Sequence, residues 1–563
     1  MKNSKDHTGR VLVIGLDGAT LDLIRPWAEQ GLLPTFQRIM EQGAWGPLRT
    51  IIPPLTGPAW TSFMTGKNPG KHALYDFVIR SPTGYTGVPI NASQRDGDSL
   101  WRILSQAGKR VGVFMVPVTY PPEPVNGFMV TGMLTPADAS DYAYPPQLAA
   151  ELKTAVPTFS VTPEGTAHPL GREHELLAGL DNLSTMMMDA TRYLMNRYPW
   201  DFYMLVFKEP DVAMHWLWRF HDENHAWHDP RAGDELKKGL QKVYQRMDAC
   251  LAELLEMVGD DTLVMLMSDH GAGSLETYFH VNTWLVSQGF MKLKSDPATQ
   301  FKRLLYKLGV TPIGLYKLIM ALRQGKQVAR TMRDRKTSAL SLLRQVFLSF
   351  ESVDWAATRA YSLGNYGQIY VNLQGRDPQG AVAPGAEYQQ VVQEITTQLE
   401  ALTDPRTGRR IPGQVHRREE IYHGHRLDEA PDLVFMPDDL RVNSFGMYQF
   451  PSKSWLEPVF DRSGGHRMDG IFMLHGPGVR PGVEIADVDM MDLTPTVLAA
   501  MGVPIPDDMD GKVLTKAFRE DYFATRPISY TEAKTAAPRT QMEFSAQEEQ
   551  EIKERLRALG YMA

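Results

Sequence analysis

Asp17, Asp211, His215, Asp269, His270 and His466 are six side chains of the types that hold divalent metal ions. Asp211 and His215 stand at positions i and i+4, so a helix through them presents both on one face. Asp269 and His270 are adjacent and precede Gly271, where a turn can aim both inward. Mixed carboxylate and imidazole sets favour zinc, manganese or iron over calcium or magnesium, because imidazole is a borderline ligand and carboxylate a hard one. Each pair alone is common; an isolated Asp-x-x-x-His is more often a coincidence on a helix surface. Their joint occurrence is the signal.

The elements that must position them can be read from hydropathy. Val11 to Leu16 reads as a short buried strand ending at Asp17, and a helix is expected over Thr20 to Glu29. Further strand-like runs begin at Val111, Phe202, Leu263, Gln368, Asp432 and Gly470, with amphipathic helices at 98–108 and 235–258. Buried strands alternating with helices indicate a mostly parallel sheet covered on both faces. The polar residues fall at strand ends: Asp17 after the first run, Glu209 and Asp211 after the Phe202 run, Asp269 and His270 after the Leu263 run. Ligands collect at the carboxyl ends of strands in such sheets, so a metal site is expected there.

The 563 residues suffice for one large α/β domain with insertions, and 43% hydrophobic with 22% charged residues are ordinary globular values. A net charge of −7 argues against stable nucleic-acid binding. The single cysteine, Cys250, allows no internal disulfide and reads as a small buried hydrophobe on a helix. No run approaches the roughly 18 apolar residues of a membrane span, and no signal-peptide core stands near the N-terminus. A cytoplasmic location is the expectation.

Residues 292 to 344 carry thirteen Lys and Arg against Asp296 and Asp334, interleaved with leucines. This stretch reads as a basic helical insertion, foremost a solvated cap over the core. A lid that attracts an anionic substrate and a helix lying on a membrane surface are its alternatives. His221, His225 and His228 read as a polar loop rather than a second metal site. Ser545, with Glu548 three residues on, caps an expected C-terminal helix without chemistry.

The order of motifs resembles the alkaline phosphatase superfamily, and within it the type I phosphodiesterase/nucleotide pyrophosphatase group. The motifs are Gly15-Leu-Asp17-Gly, Thr56-Gly-Pro-Ala-Trp-Thr-Ser-Phe-Met-Thr-Gly66, Pro210-Asp211-x-x-x-His215, Ser268-Asp269-His270-Gly271 and Gly464-Gly465-His466, followed by Asp492-Leu-Thr-Pro-Thr and Asp510-Gly511. They run from about residue 11 to 515. The resemblance implies a three-layer α/β sandwich with a mostly parallel central sheet, elaborated here by the basic insertion. It divides the chain into a first core part at 1–290 (with an inserted segment at about 80–200), the basic insertion or cap at 291–350, a second core part at 351–520, and a tail with a helix at 521–563.

The resemblance also implies two divalent metals, zinc with manganese as the alternative. One would be held by Asp211, His215 and His466, the other by Asp17, Asp269, His270 and the Thr56 oxygen. Thr56 would then be the nucleophile, since metal coordination activates a hydroxyl that is otherwise inert at neutral pH. Capping of a helix that starts near Pro58 is the structural alternative for Thr56, and both roles are compatible. Nucleotide pyrophosphatases carry an Asn that helps hold the phosphoryl oxygen where this chain has Phe77, so Lys67, Asn68 or Lys71 is expected to replace it in binding substrate. The implied activity is hydrolysis of a small-molecule phosphate ester of the phosphodiester or pyrophosphate type, a nucleotide among the candidates. A phosphomonoesterase or phosphoryl transferase on the same site, and a non-catalytic metal-binding relative, are the alternatives. Peripheral membrane contact through 292–344 is the further partner expectation.

Overall fold

The computed structural model describes residues 9–559 apart from 82, 164–170, 322–345, 525 and 534–540. The latter half of the expected basic insertion, 322–345, therefore lies outside the described residues. A ten-stranded sheet forms the centre. Its strands run in the order Val483–Glu484, Ala44–Arg49, Asp469–His475, Thr262–Met267, Arg10–Leu16, Phe202–Phe207, Val111–Val116, Gly127–Thr131 and Ala143–Tyr144, with Val488–Asp489 beside Ala44–Arg49. The five strands from Thr262–Met267 to Gly127–Thr131 are parallel to one another.

Alternation along the first strand explains the layers. Leu12, Ile14 and Leu16 enter one core, shared with helices Leu21–Glu29, Pro34–Gln42, Glu209–His221 and Gly239–Val258. Val11 and Val13 enter the other, against helices Thr56–Thr65, Leu100–Gln106 and Leu493–Ala500. A strand sandwiched this way must be apolar at every position, which is why the run shows no alternation in sequence.

Two expectations are modified. Strands Val111–Val116, Gly127–Thr131 and Ala143–Tyr144, within the segment expected as an insertion at about 80–200, are integral to the central sheet. The Gln368 and Asp432 runs do not join it. They pair in a separate four-stranded antiparallel sheet with Ala360–Ser362 and Gly413–Arg417, covered by helix Ala386–Glu400. Short apolar runs specify burial but not partners, so sequence could not separate the two sheets.

The described part of the basic insertion forms two helices, Pro297–Lys307 and Pro312–Ala321. The C-terminal helix Ala546–Leu559 packs Ile552 and Leu556 into the core, and Ser545 Oγ accepts from the Glu548 amide. Among the described residues no helix is long and apolar enough to cross a membrane.

One long-range cap ties the helical layer together. Helix Pro34–Gln42 has no side-chain cap of its own; the amides of Thr35 and Phe36 each donate to buried Asp248 Oδ1 at 2.9 Å. Asp248→Ala leaves these donors without an acceptor and is expected to cost about 0.5–2 kcal/mol in denaturant titrations. An unchanged unfolding midpoint would remove this bond from the account.

Candidate active site

Three neighbouring parallel strands deliver the acidic residues. Thr262–Met267, Arg10–Leu16 and Phe202–Phe207 lie side by side in register, so Asp269, Asp17 and Asp211 converge just past their carboxyl ends. All three are fully buried. The turn after the first strand is tied down by the Asp17 amide donating to Phe207 O at 2.9 Å. It also needs Gly18, whose φ is +67° and whose position leaves only 3.0 Å between a notional Cβ and Asp211. Ser268 braces the neighbouring turn, donating to Ala19 O at 3.0 Å and accepting from the Ile471 amide at 2.8 Å.

The histidines arrive by two routes. His215 sits on helix Glu209–His221, one turn after Asp211, as the i, i+4 spacing requires. His466 lies on strand Gly464–Arg467, which pairs antiparallel with Gly271–Ser274 so that His466 faces Ala272. This ribbon packs against the helix without clearance: a Cβ on Gly464 would fall 2.0 Å from Met214 O.

Each ring is clamped by a backbone carbonyl at Nδ1. His215 Nδ1 donates to Gly464 O at 2.9 Å, His270 Nδ1 to Gly271 O at 3.0 Å, and His466 Nδ1 to Pro54 O at 2.7 Å. A carbonyl only accepts, so a proton is on Nδ1 in all three, and in a neutral ring the lone pair is then on Nε2. Burial pushes His215 down to about 3 and His466 well below the usual imidazole range, keeping both neutral.

The three Nε2 atoms point at the carboxylates. Asp211 Oδ1 lies 3.5 Å from His215 Nε2, 3.5 Å from His466 Nε2 and 3.9 Å from His270 Nε2. His270 Nε2 lies 3.6 Å from Asp17 Oδ1 and 3.4 Å from Asp269 Oδ2. Asp211, His215 and His466 form one triad whose ligand atoms are within 4.8 Å of one another; Asp17, Asp211 and His270 form a second, so Asp211 stands in both.

This donor set fits divalent cations. His215 Nε2 and His466 Nε2, both lone-pair atoms, face each other at 3.3 Å, a contact that repels unless a cation shares it. Buried Asp17 Oδ1 and Asp269 Oδ2 find no hydrogen-bond donor among the described residues. Burial, then the charges of Asp269 and Asp211, hold the Asp17 carboxyl well above the usual carboxylate range, a strain that nearby positive charge removes.

Thr56 is the first residue of helix Thr56–Thr65 and is fully buried. Leu55, not Thr56, occupies the cap position, and no side chain caps this helix. The Thr56 hydroxyl instead lies 3.2 Å from His270 Nε2, within hydrogen-bond distance. Trp60, one turn on, donates its indole N–H to Asp17 Oδ2 at 3.4 Å.

The structure does not bring Lys67, Asn68 and Lys71 to this site. They follow the far end of the ten-residue Thr56 helix, a rise of roughly 15 Å. There Lys67 pairs with Asp508, Lys71 pairs with Asp510, and Asn68 caps helix Pro69–His72 while donating to Asp510. These acids satisfy the cations and leave the expected substrate role without support. Phe77 is buried against Gly57. Glu209 likewise turns away from the strand ends and accepts from Ser184 Oγ at 2.8 Å. His225 and His228 are held by the carbonyls of Leu275 and Arg219, and His221 packs on Trp27 and Trp218, in line with a structural loop.

Residues that sequence reasoning passed over stand beside the histidines. The Tyr366 ring stacks on His466 with centroids 5.3 Å apart. Buried Arg462 donates to Tyr278 Oη at 3.1 Å, and its charge contributes to lowering both His215 and His466. Arg462 was findable, since it stands one turn before His466 in Arg-Ser-Gly-Gly-His. Tyr366, in Gly-Asn-Tyr-Gly, had no such marker.

Comparison with known proteins accords with this geometry. No curated protein sequence matches the chain. Among solved structures, murine ectonucleotide pyrophosphatase/phosphodiesterase 5 aligns over 91% of this chain and 100% of its own, at 13% identity and a TM-score of 0.47. Phosphonoacetate hydrolase from Sinorhizobium meliloti, in complex with phosphonoformate, aligns over 88% of this chain and 95% of its own, at 15% identity and a TM-score of 0.51, a likeness of fold. The profile of the family described as type I phosphodiesterase / nucleotide pyrophosphatase matches residues 11–442, ending short of the ribbon that carries His466. The chain therefore belongs to the type I phosphodiesterase / nucleotide pyrophosphatase family of phosphoester hydrolases.

Proposed function

We propose that this hydrolase cleaves a small-molecule phosphodiester or pyrophosphate with Thr56 as its nucleophile. The observation that carries the reading is the placement of Thr56 Oγ1 at 3.2 Å from His270 Nε2, beside the Asp/His cluster and at a helix N-terminus. Two divalent cations, zinc with manganese as the alternative, would be held by Asp211, His215 and His466 and by Asp17, Asp269, His270 and Thr56; they would lower the hydroxyl pKa and neutralise charge on the phosphoryl oxygens.

The residues then have separate tasks. Thr56 Oγ1 forms a bond to phosphorus as the bond to the leaving oxygen breaks, and its hydroxyl proton passes to solvent. The leaving oxygen takes a proton from solvent. Water attacks the phospho-threonine, restores the hydroxyl and releases the phosphate product. The Thr56 helix adds its positive dipole end at the oxygen that must bear charge. Pro58, in the first turn, removes an amide that would otherwise lack a partner. Carbonyl clamps at Nδ1 hold the three rings in one tautomer, which preserves the direction of every Nε2.

The substrate is a phosphate ester, with a nucleotide among the candidates; Phe77 removes the family's usual phosphoryl donor and leaves that narrower reading weaker. A cytoplasmic location is part of the same proposal, resting on the single cysteine, Cys250, which allows no internal disulfide; recovery of the protein outside the cytoplasm on cell fractionation would reject it.

Two variants test the reading from different sides. Thr56→Ala is expected to lower turnover of an aryl phosphodiester on the order of a thousandfold or more while bound metal, measured by elemental analysis, stays at the wild-type level. Full activity in that variant would reject Thr56 as nucleophile. Gly464→Ala should do the reverse in order: its Cβ drives the His466 ribbon off the Met214 carbonyl, so metal content falls and activity falls with it. Wild-type metal content in Gly464→Ala would show that His466 is not a ligand. An aryl monoester run in parallel reads the class of substrate, and a dominant monoester rate would overturn the diester assignment.

A further inference from the structure

Exposed apolar side chains are concentrated in one place. Of the six strongly exposed large hydrophobics among the described residues, Phe301, Leu304, Leu308, Val310 and Leu318 fall in the hairpin of helices Pro297–Lys307 and Pro312–Ala321; the sixth is Tyr530. Phe301, Leu304 and Leu308 are spaced three and four apart, a single stripe, and are 58%, 55% and 71% exposed. A soluble monomer rarely presents such a stripe without a partner for it.

The hairpin is held in place. Tyr306 Oη donates to Ser452 O at 2.5 Å, and the Ile313 amide donates to Pro451 O at 3.0 Å with the Ile313 side chain buried. Lys317 pairs with Glu457 at 2.8 Å, and Asp296 caps the first helix through the Thr299 amide. The stripe is therefore displayed by an anchored element rather than by a frayed one.

Charge narrows the partner. Lys302, Arg303 and Lys307 share the helix with the stripe, and among the described residues none has an acidic partner. The whole chain carries −7, so the hairpin is a cationic patch on an anionic body. A second copy docking on this face in a symmetric contact would set these cations against their own equivalents, which is repulsive. An apolar stripe flanked by cations is the pattern of a helix that lies in the boundary of an anionic bilayer, the apolar groups among the acyl chains and the cations at the lipid phosphates.

We propose that the 297–321 hairpin docks the protein on an anionic lipid bilayer, with Phe301, Leu304 and Leu308 entering the interface. The anionic body is repelled by the same surface, which orients the hairpin towards it. Docking is independent of the hydrolytic reading, and the test keeps the two apart.

The full-length protein is sedimented with phosphatidylcholine vesicles, with and without phosphatidylglycerol. Binding to the anionic vesicles is expected to exceed binding to the neutral ones at least about tenfold. It should weaken between about 0.1 M and about 1 M salt, as the screening length shrinks from about 10 Å to about 3 Å. The triple variant F301D, L304D and L308D should lose at least about tenfold of that binding while hydrolysing a soluble aryl phosphodiester at the wild-type rate. Leu308→Asp alone, at the most exposed position, serves if the triple variant is unstable. Absence of vesicle binding, or binding equal in wild type and variant, overturns the proposal. So does a wild-type dimer that the triple variant turns into a monomer without vesicle binding, since the face then joins two copies. Loss of turnover in Thr56→Ala without loss of vesicle binding leaves docking intact; vesicle binding with no hydrolysis by any form rejects the function and not the docking.

Discussion

Three carboxylates buried side by side set the terms for everything around them. Asp17, Asp211 and Asp269 are placed together by the backbone, because the strands they follow are immediate neighbours in a parallel sheet. Lys208, half-buried beside them, feels the charge of Asp17. The indole of Trp60 and the amide of Gly18 supply single neutral donors, and burial holds His215 and His466 neutral. Like charges in a low-dielectric pocket cannot all remain ionised without a counter-charge. The folded chain thus stores an electrostatic cost at the strand ends, and divalent cations are the species whose charge and ligand preference relieve it.

The same cluster fuses parts of the chain that are distant in sequence. His466 Nδ1 reaches back to Pro54 O, two residues before Thr56, while His215 Nδ1 reaches Gly464 O in the His466 ribbon. The Pro54–Thr56 loop, the Asp211 helix and the ribbon are therefore fixed relative to one another by the bonds that orient the rings. The second sheet contributes through a buried polar knot: Asp76 accepts from Asn365 and Gln368, which flank Tyr366 at the His466 ring. Burial raises Asp76 to about 6, and its amide partners oppose that rise. Asp76 adjoins Phe77, so the position where the chain departs from the family pattern is also where the second sheet is tied to the site.

Much of this was legible from residue types and order. The Val11, Phe202 and Leu263 runs are strands ending in ligand-type residues, and the Asp211–His215 spacing became one helical turn. What remained hidden was pairing. Nothing in the Gln368 run says that it leaves the central sheet, and nothing in Gly464-Gly465 says which backbone will press against it, because both are decided by long-range contacts. Lys67, Asn68 and Lys71 show the converse limit. Their proximity in sequence to Thr56 made them plausible donors, but a straight helix carries them away, and Asp508 and Asp510, over 400 residues on, determine what they bind. Arg462 and Tyr366 are the mirror case, remote in sequence and adjacent in space.

The candidate ligands and the groups around them come from different parts of the chain. The carboxylates, two of the histidines and Thr56 come from the central sheet and its first helices, all before residue 271, and they face one another rather than any particular substrate. Tyr366 and Arg462 come from the second half: Tyr366 stacks on His466, and Arg462 lowers His466 and His215 through its charge. Phe77, buried against Gly57 beside Thr56 and adjacent to Asp76, which accepts from Asn365 and Gln368, stands where the two sets meet.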